Sequence, residues 1–209
     1  AGLLGAQDPY RNITPTLVWV LGWVDTSFAS ILLGDLWGTF HPLGSAFRAL
    51  EALVHRASSS RHRFGLGWKL PDSVGVWPAV LMFAVFAWLE LAWSQSDVPQ
   101  SLGCALAIYS GVSFLGMFAF GREEWLRRAE FFGVAFGVLA RFSPFELRAT
   151  SAIRTRAWNL RLPGVGLLEE LPRSLSEMVF VLLMLATVTF DGFLETRQWL
   201  DIADGLSVA

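Results

Sequence analysis

VGVWPAVLMFAVFAWLELAWSQ, residues 74–95, is the stretch whose reading decides the fold. Residues 74–89 carry no charged side chain, and Trp77 and Trp93 stand near the two ends. A helix rises about 1.5 Å per residue, so the stretch reaches about 33 Å, enough to cross a hydrocarbon core of about 30 Å. Indole rings favour the membrane–water interface. Pro78 falls in the first turn, where its missing N–H costs nothing. The pattern predicts a transmembrane helix, and one residue spoils its apolar run: Glu90, a carboxylate inside the outer part of the helix.

Composition extends this reading to the whole chain. Hydrophobic residues make up 54% of the 209 and charged ones only 16%, against about 25% charged for a soluble domain. Mean hydropathy is +0.48. A soluble bundle of long core helices is the alternative, and this composition disfavours it. The net charge of −2 says little, because charge is segregated along the chain. The partners implied are membrane lipids and other membrane protein subunits, not nucleic acid. Cys104 is the single cysteine, which excludes an intrachain disulfide and a cysteine metal cluster. The chain opens at Ala1 without a charged region followed by an apolar one, so no signal peptide is expected and a longer gene product is.

Further spans emerge on either side of residues 74–95. Thr14-Pro15 starts a helix, with Thr as the cap and Pro at the first helical position. Residues 16–36 are long enough to cross, yet Asp25 lies near their middle with Thr26, Ser27 and Ser30 beside it. Gly34, Gly38 and His41-Pro42 are expected to break the helix at the interface. From Leu43 onward, Phe47, Leu50, Leu53 and Val54 repeat at spacings of three and four, opposite Arg48, Glu51 and Arg56. That spacing predicts an amphipathic interfacial helix over about 43–57. Residues 102–120 form a third span rich in small residues that permit close helix approach. Residues 178–199 form the last, interrupted at Asp191-Gly192. Between the third and last spans, the uncharged run from Glu130 to Arg141 is too short to cross and predicts a re-entrant or interfacial element.

Orientation follows from charge. Of 16 Lys and Arg residues, five lie in 48–69, three in 122–128 and six in 141–173, leaving Arg11 and Arg197. If residues 129–142 dip in and return, all three basic segments share one face, the cytoplasmic one of a bacterial inner membrane. The expectation is an all-α polytopic bundle forming a single transmembrane domain over 1–209, with about four spans and one re-entrant or interfacial helix. Basic cytoplasmic loops occupy 58–73 and 142–176, and both termini lie outside.

The candidate site residues are carboxylates. Asp25, Glu90 and Asp191 lie about five to nine residues below the outer ends of their helices, or about 7–14 Å deep. Three acids at similar depth are expected to form one polar cluster able to hold a proton or cation. The alternative is that each pairs with neighbouring hydroxyls, backbone or a partner subunit and only fixes packing. His41 is the one histidine near a membrane helix, a candidate metal or pigment ligand or a capping residue. No lysine lies in a span to hold retinal, and no two intramembrane histidines stand ready for a bis-His haem, so neither cofactor is expected.

Several phrases resemble a family of bacterial polytopic membrane proteins labelled fenitrothion hydrolase. They are NITPTLVWVLGWV (12–24), GDLWGTFHPLGSAF (34–47), VWPAVLMFAVFAWLEL (76–91), REEWLRRAEFF with LARFSPF (122–145) and ATVTFDGFLETRQW (186–199). The order is similar too, so the resemblance spans nearly the whole chain. It departs at His41, where Asn is usual. The resemblance implies a helical membrane protein and places Asp35, Glu90, Glu130 and Asp191 within recurring phrases. The family label implies a metal-assisted hydrolase of phosphotriester-like esters, which would use the carboxylates with His41. The residues themselves favour a non-catalytic subunit of a larger membrane assembly, with a carboxylate-lined proton or cation pathway as a further alternative.

Overall fold

The apolar runs form four helices long enough to cross a membrane in the computed structural model, which describes residues 2–57, 64–149, 156–169, 174–197, 199 and 201. The first crosses over Thr16–Leu33, wound as a π-helix at Thr16–Asp25 and continuing as α1 (Thr26–Leu33). Its backbone turns at Gly34, whose φ of 91° suits glycine. Two short-range elements follow, α2 (Leu36–Phe40) and α3 (Pro42–Ala57), the latter matching the expected amphipathic helix. Gly38 lies inside α2 and does not break it. The decisive stretch becomes α4 (Trp77–Leu91), with Pro78 in its first turn as expected. Pro99 starts α5 (Pro99–Phe120), and Ser174 caps α9 (Leu175–Leu194) by accepting from the Glu177 amide.

Contacts sort the helix ends onto two faces. At one, the Trp19 indole donates to the Ser96 carbonyl, and the Gln100 amide donates to Gln7. At the other, Leu66 and Trp68 donate to Phe118 and Ala119 at the end of α5. There too, Ser143 donates to Leu32 and Val76 donates to the Ser176 hydroxyl. The described parts of the basic segments meet on this second face.

Between α5 and α9 the chain enters and returns. Gly121 turns it into α6 (Arg122–Arg128), which climbs back along α5, so that Trp125 fits over Gly116 and Phe131 meets Tyr109. After Glu130 the chain reverses into α7 (Phe131–Ala140) and comes back to the basic face, where Ser143 meets Leu32. Residues 122–143 are therefore a re-entrant hairpin. Arg128, at the far end of α6, ties the ascending arm to the segment before α4 by donating to the carbonyls of Leu70, Pro71, Asp72 and Gly75, and it also donates to Glu124 within α6. Phe83, Phe136 and Phe180 are completely buried where α4, α7 and α9 meet. Packing of this kind holds helices together where lipid is as apolar as the side chains.

Two expectations need correction. Helix α9 runs unbroken through Asp191-Gly192. A glycine inside a helix costs only about 1 kcal/mol, and the helix keeps its own backbone bonds without help from neighbours. The 142–176 segment is also more than a loop. It holds an antiparallel hairpin, β1 (Phe145–Ala149) with β2 (Arg156–Leu160), and a short α8 (Val165–Glu169). Residues 58–63, 150–155 and 170–173 of the two basic loops lie outside the described residues.

Candidate functional site

Glu130 sits at the tip of the re-entrant hairpin. Ten residues of α5 precede Tyr109 and eleven follow it, so its neighbour Glu130 lies about 15 Å from either end of that helix, near mid-membrane depth. The carboxylate is 0% exposed. Five donors converge on it. As the cap of α7, it accepts from the Phe132 amide at 2.9 Å and the Gly133 amide at 2.7 Å. The His41 ring contributes Nε2 at 2.9 Å and the Trp37 indole N–H lies at 3.3 Å. The Tyr109 hydroxyl donates to Oε1.

His41 holds its partner in a defined way. The Gly44 amide donates to Nδ1 at 3.2 Å, so that nitrogen is an acceptor. The ring proton then resides on Nε2 and points at Glu130. No cation faces the carboxylate among these five partners. Fixed N–H and O–H dipoles, with the positive end of α7, take the place of water around the charge. The helix start, α2–α3 junction and α5 are thereby tied to one point. The arrangement suits a structural node that keeps the hairpin tip in place.

The other sequence candidates are placed differently. Asp35 caps α2 by accepting from the Gly38 amide at 2.7 Å. Glu90 is half-buried near the end of α4, which packs against α9, the helix that carries Asp191. Asp191 itself is exposed and lies three residues before the end of α9, as Glu90 lies one before the end of α4. Both are shallower than expected and only Asp25 keeps its place near mid-span, because these helices stop earlier than the apolar runs suggested. Asp25 is exposed at the junction of the π-helical stretch with α1, and no hydrogen bond or ion pair joins it to Glu90 or Asp191 among the described residues. His41 turns to Glu130, and among the described residues no three His, Cys, Asp or Glu side chains group to hold a metal ion.

Glu130 entered the sequence reading as a phrase position and as the edge of a short uncharged run, and neither Tyr109 nor Trp37 was a candidate. A signal was present. Glu130 immediately precedes the uncharged run FFGVAFGVLA, the place where a cap belongs. Fold and site together define a helical integral membrane protein with four spans and a re-entrant hairpin. Comparison with known protein families, curated proteins and solved structures finds no match.

Proposed function

We propose that the chain is a non-catalytic component of a larger membrane protein assembly, whose partners cover the acidic faces of its first and last spans. The observation that carries this reading is the exposure of Asp25 and Asp191 within helices apolar enough to cross. A charged side chain facing lipid at depth costs at least about 2.5 kcal/mol on insertion scales. A neighbouring membrane protein offers hydroxyls, amides or cations that remove this cost. In this reading the basic face is cytoplasmic, in a bacterial inner membrane.

Photocrosslinking in intact membranes tests the proposal. Phe28 and Val188 are each 62% exposed and lie on the two spans concerned. Benzoylphenylalanine at either position is expected to give protein adducts of discrete mass, lost when Asp25 and Asp191 are both changed to Leu. Adducts with lipid alone would overturn the reading. Orientation is checked separately by cysteine labelling: position 97 should react from outside the cell and position 69 should not.

Glu90 and Asp191, carboxylates near the ends of the packed helices α4 and α9, favour a second reading, a proton or cation pathway along α4 and α9. In liposomes, Glu90→Gln would then reduce ion flux without altering assembly.

A further inference from the structure

We propose that the cavity on the basic face binds a phosphate-bearing anion. The cavity measures about 880 Å³ and opens between α3, α6, α7, the β-hairpin and α9. That volume suits a small ligand or a lipid headgroup. Five guanidiniums stand around it: Arg48, Arg122, Arg127, Arg141 and Arg161. Arginine is the side chain best matched to phosphate oxygens, because its planar fork donates two parallel hydrogen bonds.

Four acids stand in the wall with the five guanidiniums. Asp35 caps α2, Glu123 lies 3.4 Å from Arg122, Glu146 lies 3.6 Å from Arg161, and Glu177 is the fourth, in the first turn of α9. Arg127 pairs with Glu124 at 2.6 Å. Arg48 is exposed and makes no ion pair among the described residues. It is therefore the guanidinium ready to meet a ligand.

Helix α3 shows why the ligand is found at this level of the membrane. Gly44 and Ser45 lie one turn before Arg48, and all three line the cavity. The opposite stripe carries Phe47, buried, and then Leu50, Leu53 and Val54, which are exposed. A helix with this division lies in the interface, apolar stripe toward acyl chains and polar face toward headgroups. The cavity is on the headgroup side. Gly137 leaves its floor open, since a Cβ there would meet nothing within 4 Å.

Two sources supply this chemistry, an anionic phospholipid headgroup and a soluble phosphate compound. The test is native mass spectrometry of the detergent-purified chain with phosphatidylglycerol, phosphatidylcholine or pyrophosphate. Phosphatidylglycerol is expected to bind at least about tenfold more tightly than phosphatidylcholine. Arg48→Gln should weaken that binding about tenfold, the loss of one charge-assisted contact. Arg197→Gln, at the other face, should change nothing. Gly137→Leu should also weaken binding by filling the floor, which keeps the test independent of Arg48. Phosphatidylglycerol binding that pyrophosphate does not displace assigns the lipid source. Pyrophosphate binding that needs Arg48 assigns the soluble one. If neither anion binds in preference to phosphatidylcholine, or if Arg48→Gln and Gly137→Leu leave binding intact, the proposal is overturned.

Discussion

Glu130 and the pair Asp25 and Asp191 are carboxylates of membrane segments, solved in opposite ways. Glu130 is wholly enclosed and surrounded by five donors from four parts of the chain. Asp25 and Asp191 stand exposed on the outer faces of their helices. A buried charge that is fully hydrogen-bonded can be held by one chain; a charge facing acyl tails cannot be left there. The first carboxylate is a matter of this chain's own fold. The other two point beyond it.

Substitutions should separate the two classes sharply. Glu130→Leu is expected to have the largest effect, about 3–5 kcal/mol, because it strands the donors of Trp37, His41, Tyr109 and two amides in a buried site. Thermal unfolding of the detergent-purified chain reads this directly, and an unchanged midpoint would show that the donors find other partners. His41→Ala follows, at about 2–3 kcal/mol, since it removes one donor from a buried carboxylate and leaves a gap. Tyr109→Phe keeps the ring among Phe131 and Phe132 and removes only the hydroxyl. Its cost should be about 1.5 kcal/mol, the low end for a bond to a charged group.

How much of this was legible before the structure depends on what each feature rests on. The four spans were readable because length and apolarity are properties of a continuous stretch. The re-entrant hairpin was readable from charge: six arginines after residue 140 belong on the same side as Lys69 and Arg122. Helix α3 announced itself by its spacing. The donors around Glu130 were not visible in this way, because Trp37, His41 and Tyr109 meet only after three elements have packed. The β-hairpin was missed although FELRA alternates apolar and polar residues, since five residues are too few to stand out in a basic loop. The continuity of α9 was misjudged by giving Gly192 more weight than about 1 kcal/mol allows.

Smaller effects belong to α6, the ascending arm of the hairpin. Arg128 and Arg127 donate to Glu124 and hold its carboxyl below the ordinary 4.5. The stability this adds is complete above about pH 4.5 and is lost as pH falls through the lower folded value. A melt series from pH 6 to pH 3 should therefore show a decline that Glu124→Gln makes shallower. Because the pair is partly exposed, raised salt should shrink the difference.

The smallest effect in the isolated chain is expected at the exposed acids. In detergent, Asp25→Leu with Asp191→Leu should move stability by no more than about 0.5 kcal/mol, as at surface positions without partners. In the membrane the same double variant should lose its photocrosslinked protein adducts at position 188. This paired comparison is the most direct measurement of whether the acids belong to an assembly. Unchanged stability in detergent with lost adducts in the membrane is the predicted result. Marked destabilisation of the isolated chain, or adducts that persist without the two carboxylates, would contradict it.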